Sequence, residues 1–210
     1  LDMRVLPDAS RVVYDEGTNG DLSGDRMMPT AVSVDFGSNF LIGTTVAGDL
    51  DYVTVSIPTH MQLEAVLLTD YSSVDDVSFI AVQAGTTFTE PPTGTNVDNL
   101  LGWSHFGRGA GQIGTDILDD MGAGGGALGF SGPLPGGDYT FWIQETGFLS
   151  ASYTLDFVAS PAPPVVAYDE GTEGDLSGDR ANPTRIFLVP GGNLLSATSV
   201  AGDIEYVTFT

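Results

Sequence analysis

Tyr14 to Arg26 reads YDEGTNGDLSGDR, and Tyr168 to Arg180 reads YDEGTEGDLSGDR. Twelve of the thirteen letters agree at an offset of 154 residues, the exception being Asn19 against Glu173. The register continues without gaps in both directions. Downstream, Pro29-Thr30 matches Pro183-Thr184, Asn39 matches Asn193, Val46-Ala-Gly-Asp49 matches Val200-Ala-Gly-Asp203, and Tyr52-Val-Thr54 matches Tyr206-Val-Thr208. Upstream, Leu1-Asp2 matches Leu155-Asp156, Pro7 matches Pro161 and Val12 matches Val166. Of the 56 overlapping positions 29 are identical, far beyond chance at a constant offset. Internal repetition governs any reading of fold, and 154 residues is the size of a domain rather than of a solenoid unit. The spacing predicts residues 1–6 as the last strand of one repeat, 7–160 as a complete repeat, 161–165 as a connector and 166–210 as the opening of the next. The chain then reads as a window on a longer array, processed or excerpted, since it shows neither a starting Met nor a signal peptide.

The pattern between the copies is strand-like. Tyr52-Val-Thr-Val-Ser-Ile57 alternates apolar and polar residues, as a half-buried strand does. Met61 to Leu68, Val77 to Val82, Tyr139 to Ile143 and Tyr153 to Val158 read the same way, with weaker strands at Ala31 to Val34 and Phe40 to Val46. Gly, Pro, Asn and Asp clusters punctuate them, and only Asp116 to Met121 hints at a helical turn. Many strands joined by short turns predict an all-β domain, a sandwich or a barrel. Ala84 to Pro135 is long and glycine-rich, with Phe88, Trp103, Phe106, Leu118 and Leu128 available to pin it to a core. Ser160-Pro-Ala-Pro-Pro164 is a stiff connector, because proline fixes φ.

The net charge is −22: Lys is absent, six Arg are the only basic residues, and Asp outnumbers Glu 21 to 7. Such a surface repels nucleic acid and anionic lipid and attracts cations. Solubility or salt adaptation accounts for dispersed charge equally well. No run of about 18 apolar residues reads as a membrane span. Cysteine is absent, which removes thiolate metal sites, disulfides and Cys nucleophiles.

Asp15, Glu16, Asn19, Asp21, Ser23 and Asp25 place six side-chain oxygen donors within eleven residues, and Gly17, Gly20 and Gly24 let the backbone turn between them. Ca²⁺ takes six to eight hard oxygen ligands in irregular geometry. Asn19-Gly-Asp21-Leu-Ser23 imitates the opening of an EF-hand loop, but the twelfth position is Thr30 and no flanking helices are evident, so an EF-hand is rejected. A second acidic feature, Gly48-Asp49-Leu-Asp51-Tyr52, recurs as Gly202-Asp203-Ile-Glu205-Tyr206 and points two carboxylates to one face as a strand begins. Two readings stand: a polar turn capped by Asp, and a calcium site drawing on Asp15, Glu16, Asn19, Asp21, Asp49 and Asp51, with Asp169, Glu170, Asp175, Asp203 and Glu205 as the second set.

The order of these motifs resembles the bacterial pre-peptidase C-terminal domain, whose family includes the collagen-binding domains of clostridial collagenases. The resemblance runs from Tyr14 to Val158. It rests on the acidic segment with Glu16 and Asp21, the Gly37-Ser-Asn39 turn, the Gly48-Asp49-Leu-Asp51-Tyr52 strand start, and the closing Gly137-Asp-Tyr139 and Tyr153-Thr-Leu-Asp-Phe157 pair. It implies a jelly-roll-like antiparallel β-sandwich on a secreted protein, with Ca²⁺ held by Glu16, Asp21, Asp49 and Asp51. The leading segment is longer than the family's compact acidic motif, and the Ala84–Pro135 stretch departs from its pattern.

Catalysis has little support. His60 and His105 are the only histidines, and Ser104 beside His105 is a sequence neighbour rather than a spatial dyad. Gly122-Ala-Gly-Gly-Gly-Ala-Leu-Gly129 lacks the Gly-Lys-Ser/Thr ending of a phosphate loop. Trp103, His105, Phe106 and Arg108 form a candidate aromatic face for sugar. In-line copies build length and multivalency rather than chemistry. The expectation is a non-catalytic, bacterial, extracellular or cell-surface protein that acts in structure or adhesion. Its partners would be neighbouring repeats or subunits in a fibre, and an extracellular polymer. The alternative is an accessory module that binds collagen, polysaccharide or cell wall for a secreted hydrolase.

Overall fold

The computed structural model describes residues 10–74, 77–107, 112–189 and 191–210. The predicted last strand over residues 1–6, and Arg108, lie outside the described residues. Two compact units divide the chain, Leu1–Ser160 and Pro161–Thr210. No described helix is long and apolar enough to cross a membrane.

The first unit is all-β. Its strands are β1 (Ser10–Asp15), β2 (Thr30–Ser33), β3 (Ser38–Thr45), β4 (Leu50–Ser73), β5 (Ser78–Ala84), β6 (Gly102–Phe106), β7 (Leu134–Glu145) and β8 (Ala151–Pro161), with the short helices α1 (Glu16–Asn19) and α2 (Leu118–Gly122). They form one hydrogen-bonded sheet in the order β1-β3-β8-β4-β7-β5-β6, with β2 on β4. The expected antiparallel jelly roll is corrected here. β1 pairs with β3 in parallel, Ser10 opposite Ser38, and β2 pairs with β4 in parallel, Thr30 opposite Val53. The chain therefore winds twice as a parallel coil, in the manner of a β-solenoid, before antiparallel strands cover it. Alternation cannot reveal this, because a strand has period two whichever way its neighbour runs.

The two separate strands predicted at 52–57 and 61–68 are one 24-residue strand, β4, which changes register on β7 between Ile57 and Gln62. The long glycine-rich stretch hides β6, a 3-10 turn at Val97–Asn99 and α2. Phe88, Phe106 and Leu118 do pin it to the interior, whereas Leu128 is exposed. The main core gathers Leu41, Val53, Val55, Leu63, Ile80, Phe141, Leu155 and Phe157. β8 closes it: its Leu155 lies opposite Leu41, and the Phe157 ring meets Phe141 edge-on at 5.2 Å. A second cluster of Tyr52, Ala81, Phe88, Leu100 and Trp142 sits on the other face of β4, β5 and β7.

The second unit repeats the coil alone. β9 (Val165–Asp169) pairs in parallel with β11 (Asn193–Ser196), and β10 (Thr184–Ile186) with β12 (Val207–Phe209), with α3 (Glu170–Glu173) after β9. Each pairing is the one seen in the first unit, displaced by 154 residues: Asn193 opposite Val165 answers Asn39 opposite Arg11, and Thr184 opposite Val207 answers Thr30 opposite Val53. Tyr168, Leu176 and Ile186 form its small core.

Candidate metal centre

The opening string is a hydrogen-bonded knot. Asp15 is extended and caps the single turn of α1, its carboxylate accepting from Gly17 N–H at 2.9 Å. Gly20 ends the turn at φ 90°, a conformation that favours glycine. The Tyr14 hydroxyl donates to the Gly20 carbonyl at 3.0 Å, and Thr18 Oγ1 donates to the Asp15 carbonyl at 3.1 Å. Ser23 N–H donates to Thr30 Oγ1, and the Ser23 carbonyl accepts from Tyr52 N–H at 2.8 Å, tying the loop to the start of β4. Arg26 reaches the Phe88 carbonyl at 3.0 Å.

The same bonds recur in the second unit: Asp169 to Gly171 N–H, Tyr168 to the Gly174 carbonyl, Thr172 to the Asp169 carbonyl, Ser177 to Thr184 and Tyr206 to Ser177. Much of the repeated string is thus one bonding scheme used twice, while the Arg26 bond to Phe88 belongs to the first unit.

Glu16 staples this knot to β3. Its Oε1 accepts from Leu22 N–H at 3.1 Å, and its Oε2 accepts from Thr44 N–H at 2.6 Å and from Thr44 Oγ1 at 2.9 Å. Glu170 repeats the staple on Leu176 and Thr198. These donors hold the Glu170 carboxyl below the usual carboxylate range, the Thr198 N–H contributing most.

Around each staple three carboxylates converge. In the first unit these are Glu16, Asp21 and Asp51; in the second they are Glu170, Asp175 and Glu205. Within each group one oxygen from every residue lies within 4.8 Å of the others. Asp51 is wholly buried, and its Oδ2 accepts a 2.8 Å bond from the Tyr153 hydroxyl on β8. Its other oxygen, Oδ1, is buried without a hydrogen-bond partner, and so is Glu205 Oε1. A buried carboxylate oxygen with no donor is costly, and such an orphan calls for a proton, a water or a cation. Burial raises the Asp51 pKa to about 8, with the charges of Glu16, Asp49 and Asp21 adding to it. Burial also raises Glu205, followed by the charges of Glu170 and Asp203.

The other candidates lie apart from these groups. Asp15 and Asp169 spend an oxygen on capping. Asn19 Oδ1 accepts from Asp15 N–H at 3.1 Å. Asp49 sits in the turn before β4, where burial and then the Asp21 charge raise its pKa. Asp203 faces Glu205 electrostatically but lies outside the converging three. Sequence reasoning missed Tyr153, whose 102-residue separation from Asp51 leaves no local signal, and Gly43, against which the Tyr153 ring lies. A Cβ at Gly43 would stand 2.4 Å from that ring.

The aromatic face divides along β6. Trp103 and His105 share one side, with ring centroids 5.7 Å apart, and Phe79 stacks on Trp103 at 6.1 Å. Phe106 points the other way, into the core against Tyr71 and Tyr153, and so leaves the predicted sugar face. The Ser104 hydroxyl donates to the His105 carbonyl. A groove of about 270 Å³ is lined by Phe79, Thr95, Val97, Trp103, Trp142 and Gln144 among others. No protein-family model, curated protein or solved structure matches the chain.

Proposed function

We propose that this chain belongs to a non-catalytic extracellular repeat protein, a tandem array of period 154, in which Ca²⁺ bound by the acidic groups stiffens a filament or surface stalk. The observation that carries the reading is the pair of carboxylate triads, each with one buried oxygen that lacks a donor. Glu16, Asp21 and Asp51 would hold the ion in the first unit, and Glu170, Asp175 and Glu205 in the second. A hard divalent cation satisfies the orphan oxygen and offsets the mutual repulsion of three carboxylates, and waters complete its coordination. Glu16 and Glu170 are held by backbone bonds and Asp51 by the Tyr153 hydroxyl, so these three need little ordering on binding. The ion would then lock the acidic knot to β3 and β4, stiffening each repeat where its coil begins.

Thermal melting with and without chelator tests the ion, because a ligand bound only by the folded state must stabilise it. With calcium at about 100 times its Kd, stabilisation of about 2.7 kcal/mol raises Tm by roughly 5–10 °C. Unchanged melting would remove the cation from the account. Electron micrographs of the intact protein test the array: a row of regularly spaced repeats is expected, and a single compact particle would refute it.

The Phe79–Trp103–Trp142 groove favours a second reading, an accessory module for an extracellular polymer. Pull-down on polysaccharide and collagen, compared with Trp103→Ala, separates it from the structural role.

A further inference from the structure

We propose that the trough on β5, β6 and β7 of the first unit is a subsite for one neutral sugar ring of an extracellular polysaccharide. Trp103 is its stacking platform, and Trp142 and Gln144 supply hydrogen bonds. The inference rests on the second reading above, the accessory module, and gives that reading its ligand class.

The trough follows from side-chain size. Across the sheet Ala81 lies opposite Trp103 on one side and opposite Trp142 on the other. A buried alanine between two indoles leaves a gap that a larger side chain would fill. Phe79, two residues earlier on the same face, joins them: its ring stacks with Trp103 at 6.1 Å and meets Trp142 edge-on at 5.0 Å. The Trp103 indole is fixed, its Nε1 donating to the Gly125 carbonyl at 3.1 Å. A platform already held in place loses little freedom when a ligand stacks on it. The space is about 270 Å³. That is just below the usual range of small-molecule pockets, about 300–1,000 Å³, and suits a single ring.

The polar groups choose among rings. Trp142 is 3% exposed, and its indole Nε1 is buried with no hydrogen-bond partner among the described residues. A buried donor in that state calls for an acceptor. Gln144 lies opposite Phe79 and lines the trough, and its amide makes no hydrogen bond among the described residues. Thr95 Oγ1 donates to the Pro91 carbonyl at 2.7 Å, which leaves its lone pairs to accept. The set therefore holds both donors and acceptors, and a hydroxyl answers both. A proline-rich peptide brings carbonyl acceptors and few donors. A quaternary ammonium ion, which aromatic rings also attract, brings no acceptor for the Trp142 N–H. No lining residue is charged, and a chain of net charge −22 repels uronate and sulfate groups, so the sugar is uncharged.

The test titrates the 210-residue chain with cellohexaose, mannohexaose and N-acetylchitohexaose. Both tryptophans line the trough, so binding is read by their fluorescence and by the two indole N–H signals of ¹⁵N-labelled protein. At least one hexaose is expected to bind with a Kd of about 10 μM to 1 mM, and the Trp142 indole signal should move further than that of Trp103. Trp103→Ala should weaken binding at least about tenfold and Trp103→Phe less. Gln144→Ala should weaken it about two- to tenfold while leaving the urea midpoint unchanged, which separates a lost contact from a lost fold. The proposal is overturned if no neutral hexaose binds at about 5 mM. It is also overturned if binding survives both Trp103→Ala and Gln144→Ala, or if hexagalacturonate, choline or a collagen-like peptide binds more tightly than every hexaose. Binding of the collagen-like peptide alone would leave the accessory-module reading standing without this ligand, whereas capture of no polymer in the pull-down removes both.

Discussion

The two units build the same acidic knot and the same parallel coil, and the described residues include a covering antiparallel strand for the first alone. In the first, β8 brings Leu155 to Leu41, Asp156 to Asn39 and the Tyr153 hydroxyl to Asp51. In the second, Leu195, Leu188 and Phe209 face solvent, and Glu205 stands in the place of Asp51. Local bonding is therefore set by a short string and recurs with it. Burial is not: it arrives with strands more than a hundred residues away. The comparison also shows a matched difference. Where glycine faces the tyrosine ring the carboxylate is the short Asp51; where alanine occupies that position it is the longer Glu205.

Truncating the core leucine should break the comparison most sharply. Leu41→Ala removes a fully buried side chain and is expected to cost about 2–5 kcal/mol, whereas Leu195→Ala should stay within about 1 kcal/mol. Both tryptophans, Trp103 and Trp142, lie in the first unit, so their fluorescence during urea unfolding follows that unit separately. Equal losses at the two leucines would show that the units are closed alike.

Next in size is Gly43→Ala, which drives a methyl into the Tyr153 ring and should cost about 1–3 kcal/mol, while Ala197→Gly should be near neutral or slightly destabilising. Chemical denaturation of each variant decides it, and a tolerated alanine at 43 would mean that the ring has room to move.

The carboxylate triad offers a third contrast. Asp51→Asn keeps an oxygen for the Tyr153 hydroxyl but removes a buried negative charge, so at pH 8 in chelator the variant should melt no lower than the parent, and calcium should no longer stabilise the first unit. A full calcium response from this variant, followed by tryptophan fluorescence, would place the ion elsewhere.

The last contrast is the pH dependence in chelator. The folded Asp51 pKa lies near 8, well above the ordinary value of 3.8, so the native state holds a proton that the unfolded state has lost. This contribution is fully present below about pH 4 and is lost as pH rises through about 8. Melting of the first unit in chelator should therefore rise on acidification from pH 8 to pH 5, and in Asp51→Asn that slope should flatten.

Much of this was readable before any coordinates. The repeated string marks the knot, and alternation marks β4, β5, β7 and β8. The converging Glu16, Asp21 and Asp51 were among the predicted ligands, because acidic residues flanking glycine turns are visible as letters. Strand direction was not readable: nothing in Ser10–Asp15 states that its neighbour runs parallel, and a jelly roll was the wrong inference. Nor was the division of labour among the acids, since Asp15 and Asp51 look alike in sequence and only burial separates the cap from the orphan. Tyr153 is the plainest loss, a site residue supplied by a strand on the far side of a long insertion.

The parallel coil has a consequence for how the protein is made. Its pairings join residues 28 and 23 apart, as in Ser10 with Ser38 and Thr30 with Val53, whereas Phe40 must wait for Asp156. Contacts close in sequence form soonest. During synthesis the winding precedes its lid by about a hundred residues of translation.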